Sequence, residues 1–194
     1  MTLCARLAIG LSLLVTIDTR SALTVQPGEL IERTLAIVGG QVLTLSDARA
    51  AVTLGLLSGG ENLSDPAAAS PRLIERLLML REVQRYAPPE PAESEVERRL
   101  EAVRERFATP DLYETALQAS GFTEVRLRGW IRDDLRVASY LEQRFAAAAA
   151  PSGIDASDPS RVQLAAERRA ALIADWLEDL RRRTVVVELW KRDD

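Results

Sequence analysis

The hydrophobic pattern of this 194-residue chain begins, after an apolar leader, with two short strand-like runs. Residues 35–38 (LAIV) and 41–43 (QVL) flank Gly39-Gly40. Two glycines can both adopt the positive φ angles of a type I′ turn, so we predict a β-hairpin. Thr44 or Ser46 can then cap a helix that begins near Asp47, because their hydroxyls can accept hydrogen bonds from the first free amides of the helix.

Farther along the chain, apolar residues recur at spacings of three and four, which predicts a series of amphipathic helices. Start and stop signals bound several of them: Ser94 with Glu97 as a capping box, Thr109 and Thr123 as N-caps, and Gly121 as a stop. A glycine inside the long helix, Gly129, suggests a close helix crossing. In the last helix we expect an inward face of Val162, Ala165, Leu172, Ile173, Trp176 and Leu177. The predicted helices are 46–57, 71–86, 94–107, 110–120, 123–145 and 161–180.

A last strand is predicted for residues 184–189 (TVVVEL) by their β-branched content. Two isolated strands are marginal in water, so the economical arrangement pairs this segment with the first hairpin. The predicted fold class is therefore mainly α: a helical bundle with a small β-sheet formed by an N-terminal hairpin and the C-terminal strand.

Composition narrows the chemistry that the chain can perform. It contains no histidine, and Cys4 is its single cysteine. This excludes Ser/His/Asp and Cys/His catalysis, ordinary zinc sites and internal disulfides. Glu97, Glu101 and Glu105 share one helix flank, which could suggest a metal or acid–base site. Arginines adjoin them, however, so solvated ion pairs are the simpler interpretation. We predict no enzyme activity, no catalytic residue, no metal and no cofactor.

The N-terminal residues 1–22 resemble a secretory signal peptide, with Arg6 preceding the apolar run 7–17 (LAIGLSLLVTI). A buried N-terminal helix is the alternative. The run is shorter than the roughly 20 residues that a membrane span needs. We therefore predict export without stable membrane insertion after signal removal. The net charge of −4 argues against nucleic acid as a partner.

Five segments, taken in order, resemble the SurA-type periplasmic chaperones (the SurA N-terminal domain family). The hairpin TLAIVGGQVLTLSDARA resembles the opening of that family, and LIERLLMLREVQRY resembles its next leucine-rich helix. PAESEVERRLEAV, YETALQASGFTEVRLRGWIRDDLRVASYLEQRF and WLEDLRRRTVVVEL resemble the segments that follow, the last being the closing helix and strand. The resemblance covers most of the chain after the predicted signal.

The family normally also carries parvulin-type prolyl isomerase domains, and here this chain departs from it. Only about thirty residues separate Phe145 from Trp176, fewer than the ~40 that an autonomous domain needs. The expected organisation is a signal peptide (1–22), a SurA-like core (23–145), a linker that replaces the parvulin domain (146–160) and a C-terminal helix and strand that complete the core (161–194).

The resemblance implies a periplasmic holdase that binds unfolded or partly folded envelope proteins, chiefly outer-membrane proteins, without prolyl isomerase activity. A structural or adaptor module that binds one folded partner is the alternative. Apolar grooves that hold extended segments favour amphipathic aromatic contacts. Packing in the core is the competing interpretation for each such residue. The peptide-binding candidates are Phe107, Leu112, Tyr113, Phe122, Trp130 and Tyr140.

Overall fold

The computed structural model describes residues 32–57, 66–149 and 158–190, and these are mainly helical with one small antiparallel sheet. The predicted signal peptide and most of the predicted linker lie outside the described residues. The helices are α1 (Leu45–Thr53), α2 (Ser70–Tyr86), α3 (Glu93–Arg104), α4 (Pro110–Ala119), α5 (Glu124–Arg144), α6 (Ala146–Ala149) and α7 (Pro159–Arg183), and a 3₁₀ turn spans Pro66–Ala69.

The predicted hairpin and the start of its helix are confirmed, but the helix ends at Thr53 and not at Leu57. β1 (Thr34–Val38) and β2 (Gln41–Thr44) are joined by the two glycines, whose φ angles are 56° and 90°. Thr44 is the N-cap of α1. Its hydroxyl accepts from the Asp47 amide at 3.2 Å, and the Asp47 carboxylate accepts from the Thr44 amide at 3.0 Å. This reciprocal capping box satisfies two amides that the first helical turn leaves without partners.

The predicted closure of the sheet is also confirmed. β3 (Val186–Glu188) pairs antiparallel with β1, and the strand order is β2-β1-β3. Two hydrogen bonds at the ends of the β1–β3 ladder fix its phase, that is, which opposite residues exchange hydrogen bonds. The Gly39 amide donates to Val185 O at 2.8 Å, and the Leu189 amide donates to Leu35 O at 2.9 Å.

Alternate residues of β3 consequently bond to β1 or face away from it. Val187 lies opposite Ile37 in the same phase as those two bonds, so this pair is of the hydrogen-bonded kind. The backbone groups of Val186 and Glu188 point to the outer edge of the sheet. Val187 is 42% exposed, so its side chain contributes little to the core.

Two hydrophobic clusters fill the described molecule. The first joins the sheet, α1, α2 and the C-terminal half of α7, and the predicted apolar stripe of α2 is its centre. The second joins the end of α1 to α3, α4 and the N-terminal half of α5. Trp130 on α5 packs against both clusters and so connects them. The buried residues of the α2 stripe are Leu73, Ile74, Leu77, Leu78, Leu80 and Val83.

Of the N-caps predicted for α3, α4 and α5, two are confirmed and one is wrong. Thr109 and Thr123 cap α4 and α5, each accepting from a backbone amide three residues on. The Ser94–Glu97 capping box is absent. α3 begins before Ser94, at Glu93, with Ala92 as an N-cap that makes no side-chain bond. The N-cap thus lies two residues before the predicted one, which places Glu93 and Glu95 in the first turn, where the helix dipole favours acidic side chains. Glu93 also forms ion pairs with arginines of α5.

The inward face predicted for α7 holds only in part. Trp176 is buried, and Ile173 and Leu177 pack partly against the first cluster. Val162 and Leu172, which we expected to face the core, are 48% and 42% exposed. The apolar periodicity of α7 continues into its N-terminal part. There its main packing partner is α6, a helix of only 4 residues, which cannot cover that face.

Gly129 does not mark a close helix crossing, contrary to the expectation from sequence. A Cβ placed there would have nothing within 4 Å. Because glycine inside a helix costs about 1 kcal/mol relative to alanine, we expect Gly129→Ala to raise the free energy of unfolding by up to about that amount. Urea denaturation followed by circular dichroism measures it. An unchanged or lower midpoint would show that the position needs glycine for a reason that the packing does not reveal.

Candidate functional site

Two surface depressions of the described residues lie side by side along α5. One, of about 460 Å³, is bounded by α2, α5 and the segment after α1, and the other, of about 260 Å³, by α3, α5 and the same segment. Leu56, Arg99, Asp134 and Ala138 line both. We call the pair the α5 groove. Its other apolar lining residues are Leu57, Met79, Val103, Ile131, Leu135, Val137 and Leu141.

The α5 groove combines an aliphatic surface with charged residues that can meet a polypeptide backbone. Leucine, valine and methionine side chains provide the apolar part, and methionine adapts to irregular shapes because it is unbranched. Arg72, Glu75, Arg99 and Arg106 line the same depressions. Such a surface can hold apolar side chains and hydrogen-bond the polar backbone between them. It offers no paired nucleophile and base.

Arg76 lies between the α5 groove and another depression, the one beside β2, and it lines both. Its Nε donates to the Asp134 carboxylate at 2.6 Å, and an Nη donates to the Trp130 carbonyl at 3.2 Å. The guanidinium also lies 3.7 Å from the centre of the Trp130 ring, a cation–π contact. With its side chain only 13% exposed, Arg76 ties α2 firmly to α5.

The six residues predicted from sequence do not line one groove. Phe107 and Tyr113 lie together, with ring centres 5.7 Å apart, in a separate depression of about 350 Å³ beside α4. Phe107 is half-buried, whereas Tyr113 is buried. Leu112 is 52% exposed on α4 and lines none of these depressions.

The other three candidates pack inside the molecule. Phe122 is buried against Trp130, with ring centres 5.8 Å apart. Tyr140 is buried in the first cluster, 5.3 Å from the ring of Tyr86 and 5.9 Å from that of Trp176. Tyr113, Phe122 and Tyr140 thus pack in the core, which was the competing interpretation for these residues. Trp130 is half-buried and is the one candidate among the six that lines the depression beside β2.

The residues that line the α5 groove were missed because they are aliphatic and come from four separate segments. Sequence reasoning favoured aromatics and treated each helix as having one inward stripe. On α5, Val137 and Leu141 stand four residues apart on a flank that turns toward α2, while Ile131 and Leu135 turn toward α3. This second apolar flank of α5 is the sequence pattern from which the groove could have been predicted.

Glu97 and Glu101 of α3 form ion pairs with arginines, as the simpler interpretation predicted, whereas Glu105 follows the helix and has no ion pair among the described residues. Glu97 accepts from Arg128 at 2.5 Å, and Glu101 accepts from Arg104 at 3.1 Å. Arg104 also donates to Glu124 at 2.7 Å and thereby holds the pKa of that carboxyl below its usual value, although burial opposes the shift. The Glu97–Arg128 and Arg104–Glu124 pairs join α3 to α5. Within the described ranges no group of side chains could hold a metal ion.

Residues 32–57, 66–149 and 158–190 include no helix with the length and apolar content that crossing a bilayer requires. Comparison with known proteins gives neither a family model nor a curated protein that matches this chain.

Proposed function

We propose that this chain is a periplasmic holdase-type chaperone, built like the N-terminal domain of SurA, that binds unfolded outer-membrane proteins in the α5 groove. It works without prolyl isomerase activity. Binding needs only surface complementarity and leaves the client chemically unchanged. The observation that carries the proposal is the α5 groove itself, an aliphatic surface with charged residues around it on a small helical domain.

The chemistry of the groove suits segments of unfolded β-strand proteins. Such segments alternate apolar and polar residues, and their unpaired backbone edges aggregate unless they are shielded. Leu57, Met79 and Val137 can contact the apolar side chains, while arginine guanidiniums can donate to client carbonyls. An unfolded client loses conformational entropy when it binds, so we expect affinities on the order of micromolar and ready release without ATP.

The fold supports the same proposal at the level of topology. The five segments that resemble the SurA family include the hairpin and the closing helix and strand. The structure pairs β3 with β1, so the first and last of these segments belong to one sheet. No parvulin-sized insertion is needed for α7 to return β3 to that sheet.

Ala138→Glu tests the groove directly. Ala138 is exposed at the point that the two depressions share, so glutamate can replace it without disturbing the core. We expect the unmodified protein to suppress light scattering when a denatured outer-membrane barrel protein is diluted into buffer. The variant should require several-fold more protein for the same suppression, because a buried charge in the occupied groove is costly.

Ala166→Glu is the matched control, since Ala166 is an exposed helical alanine on α7 that lines neither depression. It should suppress scattering as well as the unmodified protein does. Unchanged aggregation at several-fold excess of the unmodified protein would refute the holdase proposal. Equal loss in both variants would remove the α5 groove from it. Acceleration of a proline-limited refolding reaction would contradict the proposed lack of isomerase activity.

An adaptor that binds one folded partner is the second candidate, and one observation favours it. The N-terminal half of α7 exposes Val162, Leu164 and Leu172 by 48%, 54% and 42%. Leu164 and Leu172 are eight residues apart and therefore lie on the same side of the helix, where they could contact a partner together. A pulldown from the cell envelope dominated by one folded protein, and weakened by Leu164→Glu, would favour the adaptor over the holdase.

A further inference from the structure

The free edge of β2 offers backbone groups to a further strand. β2 is an edge strand, and Val38 and Gln41 form the closing pair of the two-residue hairpin. The next pair, Ile37 with Val42, is therefore of the non-hydrogen-bonded kind. Ile37 instead bonds to Val187 on its other side. The N–H and C=O of Val42 accordingly point away from β1, where an extended peptide could pair with them.

A depression of about 320 Å³ lies directly along this edge, and we call it the β2 cleft. Gln41, Val42 and Leu43 of β2 line one side of it. α2 and α5 line the other side, so a peptide strand added to β2 would have half of its side chains facing this cleft. The apolar residues of that opposite side are Leu73, Leu77, Leu80 and Trp130.

The β2 cleft contains one carboxylate that lacks a partner. Asp47 is paired with Arg126 at 2.7 Å, and Arg76 with Asp134 at 2.6 Å. Asp133 also lines the cleft, and no described residue donates a hydrogen bond to it or pairs with it. Two arginines and two aspartates line the cleft, and Asp133 is the aspartate with which neither arginine forms an ion pair.

The arginines nearest in sequence to Asp133 are paired with other residues. Arg132 pairs with Glu93 at 3.0 Å, and Arg136 pairs with Glu90 at 3.7 Å. Burial raises the pKa of the Asp133 carboxyl, although these arginines and Arg76 oppose the shift. A cation brought into the cleft would compensate for this loss of hydration.

We propose that the β2 cleft binds an extended polypeptide segment that carries a lysine or arginine. The segment adds to β2 through the N–H and C=O of Val42, and its cationic side chain pairs with Asp133. The inference does not depend on the α5 groove or on holdase activity, since a short peptide that cannot aggregate would bind in the same way.

Two synthetic peptides test this proposal with the unmodified protein. Both have nine residues that alternate threonine and valine, and the central residue is lysine in one and glutamate in the other. In isothermal titration calorimetry we expect the lysine peptide to bind at least about tenfold more tightly. Methylating alternate backbone nitrogens of the lysine peptide should abolish binding, because the methylated edge cannot pair with a strand. Hydrogen exchange at the Val42 amide should slow when the lysine peptide is present.

Asp133→Asn should remove the preference for lysine over glutamate, whereas Glu142→Gln, an exposed carboxylate on the same helix, should retain it. The proposal is overturned if neither peptide binds, if the methylated peptide binds as well as its parent, or if Asp133→Asn discriminates like the unmodified protein. Equal binding of both peptides would also overturn it, because the cleft would then recognise no cationic side chain. If Asp133→Asn fails to fold, the peptide comparison and the exchange at Val42 still decide the question.

Discussion

Val187→Pro is expected to lower the free energy of unfolding by about 2–3 kcal/mol, whereas Glu188→Pro lowers it by about 1 kcal/mol or less. The two residues are neighbours on β3 and both are exposed. Val187 bonds to Ile37, so proline there removes a ladder hydrogen bond and strains the strand that closes the sheet. The Glu188 amide points outward, where proline is tolerated. Glu188 also pairs with Arg181, but both side chains are about 40% exposed and such pairs contribute little.

Urea denaturation of the two variants, monitored by circular dichroism, measures this difference. The midpoint should fall much further for Val187→Pro, with similar dependence on denaturant in both variants. A larger loss for Glu188→Pro than for Val187→Pro would show that β3 pairs in the opposite phase, with Glu188 bonded to β1. Two negligible losses would mean that β3 contributes nothing to stability in solution, and the fold would then lack its closing strand.

Arg183→Met is expected to cost about 2–3 kcal/mol, because it leaves the buried Glu82 without its main partner. Glu82 lies on α2 with its side chain only 6% exposed, and it accepts from Arg183 of α7 at 3.0 Å. Arg85 also donates to it at 3.2 Å, but from an exposed position. A buried carboxylate is costly mainly when it is unpaired. The double variant Glu82→Gln/Arg183→Met should therefore recover much of the loss.

Arg182→Met serves as the control for this pair. Arg182 belongs to the same helical turn, is 72% exposed, and pairs at 3.3 Å with Asp179, which is 54% exposed. Its removal should change stability by less than about 0.5 kcal/mol. Thermal and chemical unfolding of Glu82→Gln, Arg183→Met and their double variant measure this double-mutant cycle, with Arg182→Met measured alongside. Additive losses from Glu82→Gln and Arg183→Met would show that the two side chains are not coupled.

The parts of the fold that sequence analysis predicted correctly depend on short-range chemistry. Gly39-Gly40 determines a turn, and Thr44, Thr109 and Thr123 each satisfy amides within three residues of themselves. The pairing of β3 with β1 joins distant segments, yet it too could be predicted. Two strands need a third, and the chain offers a single later candidate rich in β-branched residues.

The errors lie where a distant partner changes a local preference. Glu93 pairs with two arginines of α5, and α3 starts there instead of at Ser94. The pattern of α7 predicts a buried face along its whole length, but burial needs a partner helix. Among the described elements, none of comparable length lies beside Val162. No property of the sequence around Gly129 tells how close the neighbouring elements come.

The candidate site could not be predicted for a related reason. A groove is the space left between elements, so its lining depends on how far apart α2, α3 and α5 lie. Aromatic residues are attractive candidates for contacts, but they also fill cores well, and Tyr113, Phe122 and Tyr140 serve that purpose here. Aliphatic residues such as Met79 and Leu141 line the groove because a second flank of each helix meets open space.

The order of the sheet has a consequence for how quickly the native state is reached. β1 lies between two partners, one adjacent in the sequence and the other separated from it by all of the described helices. The first pairing can form within microseconds, whereas the second must wait until those helices bring the strands together. Until then one side of the central strand is unpaired. We therefore expect a slow final phase to dominate refolding, and substitutions that affect only the hairpin should not accelerate it.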